Sequence, residues 1–333
     1  MFGHSRIVEK NRLIFTFVIL GALMQFIAGC GSQSEVPLSA IKANVQSFVK
    51  DYKGNIHYFT KRPVRIISLY VSSDEIILDL VAPDRILALS EWAHDREISN
   101  VVEKAKIVPI KATANLEFIS AMKPDLVLMR CIVSDDMMRS IQDLGIPVYA
   151  YNNLASIEEV QKMIGDLAFI VGERERGAAM LDKMNSELKE VKTHIGKVAE
   201  TQKQTAMLFF GGNAIGVKGS IFDTIANYAQ VNNGAARVNM IGGSTTQSIP
   251  KESIIEINPD VLLVAEWTFG GKNTSVQQMI KEIGEDQILQ LVNAVKNKRI
   301  KPIPVRYTHC MSQYVPAAIL AVHDAVYKSD GKN

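Results

Sequence analysis

The chain has 333 residues, 47% of them hydrophobic and 22% charged, with a formal net charge of +2. That is ordinary globular composition with room for two cored domains, and without a basic run interleaved with aromatics it excludes nucleic acid as a partner. Three cysteines, Cys30, Cys131 and Cys310, are too few and too scattered for a disulfide framework or a Cys-x-x-Cys metal site.

At the N-terminus, Arg6, Lys10 and Arg12 precede the apolar run Leu13 to Ile27, and Ala28 and Gly29 follow. Basic residues, a short apolar stretch and small residues make a secretory signal, and the run is shorter than the roughly 20 residues of a membrane span. Ile27-Ala28-Gly29-Cys30 resembles the lipobox of bacterial lipoproteins. That resemblance implies residues 1–29 as a cleaved signal peptide, a diacylglycerol on Cys30, and residues 30–50 as a lipidated tether. Each acyl chain adds roughly 0.8 kcal/mol per buried CH₂, so two or more would hold the protein on a membrane surface.

Asp51 to Asn55 reads as a turn between two short extended runs, and Arg65 to Leu69 as a β-rich strand. A helix over Ser72 to Val81 and a strand over Arg85 to Leu89 follow. Then come a helix over Leu116 to Met122, a strand over Asp125 to Met129, a helix over Asp135 to Leu144 and a strand over Ile146 to Ala150. Apolar strands alternating with helices argue for a parallel sheet covered on both faces.

Ser156 to Val198 is the stretch on which the halves hang. Ile157, Val160, Ile164, Leu167 and Val171, then Leu181, Met184, Leu188, Val191 and Ile195, recur at helical spacing, and Ser156 with Glu159 forms a capping box. Gly172 interrupts the stripe, which reads as a kink or as two helices nearly in line, with a surface helical hairpin inside one domain as the alternative. A continuous helix here spans roughly 60 Å at about 1.5 Å per residue, enough to cross between domains.

Beyond it the order repeats: a strand over Thr205 to Phe210, a helix over Ser220 to Ala229, a short helix over Glu252 to Ile257, and strands over Val261 to Ala265 and Arg299 to Val305. Val315 to Tyr327 is the closing helix. The likeness is literal, for Glu117 to Leu128 reads EFISAMKPDLVL and Glu252 to Leu263 reads ESIIEINPDVLL. Each half also carries Ile-Pro-Val, at Ile146 to Val148 and Ile303 to Val305. Matching pieces in matching order imply two similar α/β lobes. Each Pro ends its helix. The repeated Glu is favoured by the helix dipole by roughly 0.3 to 1 kcal/mol, which leaves open whether it has a second purpose.

From Asp51 almost to the C-terminus the sequence resembles the substrate-binding proteins of bacterial ABC importers for ferric siderophores, haem and cobalamin. The residues that carry the likeness are Asp51 to Arg65, Ile66-Ile67-Ser68-Leu69, Asp74 to Leu89, the two Glu-to-Pro-Asp blocks, Gly145-Ile146-Pro147-Val148 and the linking helix. The resemblance implies an α/β fold of two Rossmann-like lobes with central sheets, bridged by one long α-helix, as in class III periplasmic binding proteins. The lobes would span 51–154 and 199–333, joined by a connecting helix over 155–198, with modest closure around a ligand in the cleft. It further implies Glu117 and Glu252 as contacts to arginines of a membrane permease, with permease and ATPase subunits as partners. The protein itself would be an exported monomer facing the periplasm or cell exterior, with no catalytic residue.

Ligands of open α/β sheets sit beyond the carboxyl ends of the strands. That rule nominates Tyr70, Trp92, Arg130 and Cys131 in the first lobe, with Tyr151 behind them. In the second lobe it nominates Asn213, Trp267, Phe269, Arg306, Tyr307, His309, Cys310 and Met311. Two arginines at strand ends suit an anion, since the guanidinium fork matches carboxylates and phosphates. The expected cargo is therefore a small-molecule metal complex with acidic groups, a ferric siderophore first and haem or cobalamin next. No resident cofactor and no bare-metal site are expected, because the histidines are scattered. Tyr307, His309, Cys310 and Met311 could each reach haem iron, and Cys131 and Cys310 could meet across the cleft. An exported enzyme is the alternative from another class, but no nucleophile elbow, His-Glu-x-x-His or phosphate loop is present, and Gly211-Gly212-Asn213 and Gly242-Gly243-Ser244 lack the Lys of a phosphate cradle. A receptor that presents its ligand to a sensor fits the same residues.

Overall fold

The structure is a computed structural model that describes residues 47–54, 56–59, 61–238, 248–266 and 275–328. The signal, Cys30 and the tether up to residue 46, Trp267, Phe269 and Gly242-Gly243-Ser244 lie outside the described residues, whereas the last four tether residues form a strand.

The first lobe begins with an antiparallel hairpin, β1 (Ser47–Lys50) and β2 (Ile56–Phe59), joined by the turn expected around Gly54. Next come β3 (Ile66–Ser68), α1 (Val71–Leu80), β4 (Ile86–Ser90), β5 (Lys111–Ala112), α2 (Leu116–Met122), β6 (Leu126–Arg130), α3 (Asp135–Asp143) and β7 (Val148–Tyr151). The sheet order is β5-β4-β3-β6-β7, with every neighbour parallel. The central strands β3, β4 and β6 are buried almost throughout because helices cover both faces, so alternation does not show in them.

Two helices follow, α4 (Ile157–Ile170) and α5 (Arg174–Ile195). They are neither one kinked helix nor a pair in line. Gln161 on α4 donates to Asn185 on α5 at 2.7 Å, and a Cβ on Gly177 of α5 would lie 2.3 Å from the Ala168 Cβ of α4, so the two pack antiparallel. The reversal is at Gly172, whose φ of +72° suits glycine and ends the first helix. Two first-lobe arginines lock it: Arg62 and Arg85 both donate to the Val171 carbonyl, at 3.1 and 2.8 Å, and both pair with Glu173. The connection between lobes is therefore α5 alone, 22 residues and roughly 33 Å at about 1.5 Å per residue.

The second lobe holds β8 (Thr205–Phe210), β9 (Asn213–Ile215), α6 (Ile221–Tyr228), β10 (Asn232–Asn233), α7 (Lys251–Ile257), β11 (Val261–Glu266), α8 (Val276–Glu285), β12 (Ile300–Pro304) and α9 (Val315–Tyr327). Its sheet order is β10-β8-β11-β12, all parallel, with β9 antiparallel on β8. Two separate sheets, one per lobe, bridged by a long helix, confirm the expected fold class.

The sequence repeat has a shared physical cause. In both lobes a seven-residue helix, α2 or α7, ends on a residue with φ of 47°, Lys123 or Asn258. The chain then passes through Pro-Asp into a central strand. Asp125 accepts from the backbone amides of Val64 and Arg65 at 2.8 and 2.7 Å, ahead of β3. Asp260 accepts from Thr205 N at 2.8 Å, at the start of β8. Each aspartate thus satisfies orphan amides at the beginning of the neighbouring strand, while the proline ends the helix.

Apolar residues of both lobes join in one buried cluster, with Leu128 from the first, Met184 on α5, and Leu208 and Val315 from the second. The lobes and helix form one unit, Val45–Asn333.

Candidate functional site

In each sheet the strand order reverses beside the first strand, between β3 and β6 in one and between β8 and β11 in the other. Crevices open beyond the carboxyl ends of strands at such points. Tyr70 follows β3 and Arg130 ends β6, so the first reversal brings them together: the Arg130 guanidinium lies 4.5 Å from the Tyr70 ring centroid and donates to its hydroxyl. Arg130 Nε also donates to Asn153 Oδ1 at 2.7 Å, and Trp92 stands edge-on to Tyr70 with centroids 4.9 Å apart. Among the described residues Arg130 has no carboxylate partner, only neutral acceptors.

Across from it, the single helical turn Val305–Thr308 that follows β12 carries His309 at its end. The Thr308 hydroxyl lies 3.2 Å from the Val305 carbonyl and 2.8 Å from His309 Nδ1. With the hydroxyl proton on the carbonyl, the oxygen accepts from Nδ1–H and Nε2 carries the free lone pair; with it on Nδ1, Nε2 carries the proton. The imidazole packs on Phe210 at the end of β8, with centroids 5.3 Å apart. Burial, and then the Arg130 charge, push the His309 pKa down to about 4, which keeps the ring neutral at physiological pH.

Arg130, His309 and Met311 meet in one cleft of about 370 Å³ between the lobes. Asn152, Asn153 and Leu154 close it on one side, and Ser220, Ile221 and Phe222 at the start of α6 close it on the other. Arg130 is the charged side chain among its described lining residues, set in a wall of amides, hydroxyls and apolar surface. Such a cleft attracts an anion and leaves a neutral nitrogen donor opposite it.

The other nominees are placed differently. Tyr70 and Trp92 stand behind Arg130 and do not line the cleft. Arg306 is committed to the facing lobe: its guanidinium donates to the Arg96 carbonyl, its amide donates to the Glu97 carbonyl at 2.9 Å, and it stacks on Tyr307 with 4.7 Å to the centroid. Tyr151 is buried with its hydroxyl against Ser72 and Ser73, and Asn213 is exposed and bonded to Ser248. Cys131 and Cys310 do not pair; both thiols are free, Cys131 beside Asn152 and Cys310 buried next to Ser312. Glu117 and Glu252 are both exposed, each the second residue of its short helix. Sequence reasoning read the helix from Ser220 but missed its start as a wall of the cleft, because the strand-end rule nominates strand ends and not helix starts. Among the described residues no group of three or more acidic, His or Cys side chains could hold a metal ion, and no helix is long and apolar enough to cross a membrane.

Comparison with known proteins now decides the family. Residues 66–307, well over half of the chain, match the profile of the family described as periplasmic binding protein. The chain belongs to the periplasmic binding protein family. As a periplasmic binding protein it is similar to YvrC, an uncharacterized ABC transporter substrate-binding lipoprotein of Bacillus subtilis, at 24% identity over 303 residues, covering 88% of this chain and 90% of the relative. It is also similar to the iron-uptake system-binding protein of the same organism, at 23% identity over 297 residues, 87% of this chain and 90% of that one. Among solved structures, the heme binding protein HmuT shares the fold with a TM-score of 0.69 at 17% identity, over 86% of this chain and 91% of its own. Members of this family bind solutes for transport, and two lobes around a cleft are an arrangement suited to that task.

Proposed function

We propose that the protein is an extracytoplasmic solute-binding lipoprotein, anchored through Cys30, that captures an iron complex in the interlobe cleft and delivers it to an ABC permease. The observation that carries this reading is the cleft itself: among the described residues, one guanidinium without a carboxylate partner faces a neutral imidazole across a lining without acid. A ferric chelate with carboxylate or other anionic oxygens satisfies the first group, and its apolar body fits Leu154, Ile221 and Phe222. The similarity to an iron-uptake binding protein supports iron as the metal, and the lipobox residues support the anchor.

His309 favours haem as the second reading, since a neutral imidazole nitrogen is an axial ligand for haem iron. Titrating the purified chain, freed of its lipid segment, with ferric siderophores, haemin and cobalamin separates these cargoes by Trp fluorescence and the visible spectrum. Saturable quenching by a ferric siderophore is the expected result. A Soret shift that disappears in His309→Ala establishes haem instead, and absence of binding to every member of the panel overturns the iron reading. Glu117 and Glu252 belong to the same proposal as the permease-docking pair, and the permease with its ATPase as the partners.

A further inference from the structure

The cleft's second-lobe wall is held from the other lobe. Glu75 on α1 is buried, at 3% exposure, and its carboxylate accepts from the Asn100 amide at 2.7 Å, from Asn100 Nδ2 at 3.0 Å, and from the hydroxyl of Ser312 in the second lobe. Next to it, Gln313 Nε2 donates to the Glu75 carbonyl at 2.8 Å and to Asp79 Oδ2 at 3.0 Å, while the Tyr314 hydroxyl donates to Asp79 at 3.4 Å. Ser312 is fully buried and Gln313 nearly so. This seam lies one residue beyond Met311 and three beyond His309, and Arg306 upstream adds a second hydrogen-bonded tie to the first lobe.

We propose that Glu75 is a positioning residue for the cleft: from the first lobe it fixes the 308–313 segment of the second, and so sets the place of Thr308, His309 and Met311 against Arg130. This rests on reading the cleft as the binding site. Neither Glu75 nor Ser312 lines the cleft, so their effect on a ligand passes through the segment. A buried carboxylate whose partners come from two lobes is costly to leave half satisfied, so the bonds hold as a set. Burial pushes the Glu75 carboxyl up to about 7. The ionisable groups around it are Asp74 and Asp79 on its own helix, Lys104 paired with Asp79, and Cys310 and Tyr314 on the second lobe. Opening the seam returns Glu75 to the ordinary carboxylate range near 4.5. The closed seam therefore holds its proton more tightly; it is firmest below about pH 4.5 and loosens as the pH climbs to about 7. The Ser312 hydroxyl can donate or accept and so serves both forms of the carboxyl.

The test is hydrogen–deuterium exchange on the full-length chain in detergent micelles, for wild type, Glu75→Ala, Glu75→Gln and Ser312→Ala, between about pH 5 and 8, with haemin affinity measured on the same samples. Both alanine variants are expected to speed exchange of amides 309–314 about tenfold or more while β3 and β8 stay protected, and to weaken haemin binding about tenfold. Glu75→Gln keeps the shape and the bonding capacity, so it is expected to stay within about threefold of wild type and to lose the rise in corrected exchange that wild type shows toward pH 7. Unchanged exchange in both alanine variants, or a Gln variant that behaves like Ala, overturns the proposal. So does a loosened segment with unaltered haemin affinity. If haemin binds neither wild type nor variants, the exchange result still decides the role of Glu75, and it is the haem reading that fails.

Discussion

His309 keeps an uncharged ring at the cleft because burial, and then Arg130, disfavour its cation. An NMR titration of its ring protons is expected to give a midpoint near 4, against about 6.5 for an ordinary histidine. Because the folded value lies below the unfolded one, the contribution to stability is complete above about pH 6.5 and is lost as the pH falls toward 4. Arg130→Ala is expected to move the midpoint upward by removing the second cause. A midpoint near 6.5 in the wild type contradicts both the burial and the neutral-nitrogen role. Arg130, His309 and Met311 were all nominated from the strand-end rule alone, because chain order and sheet direction suffice to put them at an opening. Arg306 shows the limit of that rule: a strand end also faces the opposite lobe, and only the packing of the two lobes reveals that its fork is spent on the Arg96 carbonyl.

Many elements were legible from their apolar pattern, as in α2 and β8, whose bounds are the ones read from the sequence. The α4–α5 reversal was not, because the stripe of a helix is the same whether the next helix continues it or folds back on it. What decides is the sign of φ at Gly172 and the two arginines on Val171, neither of which a periodicity carries. Helix α8 was missed although Ser275 caps it and Val276, Met279 and Ile283 form its buried stripe, a signal that was available. The close crossing of α4 and α5 gives a sharp expectation. Gly177→Ala gains about 1 kcal/mol of helix propensity but forces a methyl against Ala168, an overpacking cost of about 1–3 kcal/mol. We expect a net fall in melting temperature, restored by adding Ala168→Gly; an unchanged or raised melting temperature contradicts the antiparallel contact. At the same scale, Glu117→Ala with Glu252→Ala is expected to leave ligand affinity intact while cellular uptake of the ferric complex drops. A charged rim steers docking, so the wild-type association with the permease should weaken with salt. Uptake equal to wild type removes the docking assignment.

At the scale of the whole molecule, the paired lobes were readable because the repeat is spelled in letters, and both Pro-Asp turns now have the same hydrogen-bonding task. The relation between the lobes was not readable, since contacts such as Ser312 to Glu75 and Thr224 to Ala155 join residues far apart in the chain. A stiff α5, a shared core and the Glu75 seam leave little freedom for opening, so small-angle scattering is expected to show at most a slight change in radius of gyration on loading. The cleft's charge is the central claim, and it is tested most directly by equilibrium titration of wild type and Arg130→Ala with the ferric complex that binds best. The account expects saturable binding by the wild type and a loss of about tenfold or more in the variant, in line with the roughly 1.5–3 kcal/mol of a hydrogen bond to a charged group. Equal affinity in the two proteins contradicts it.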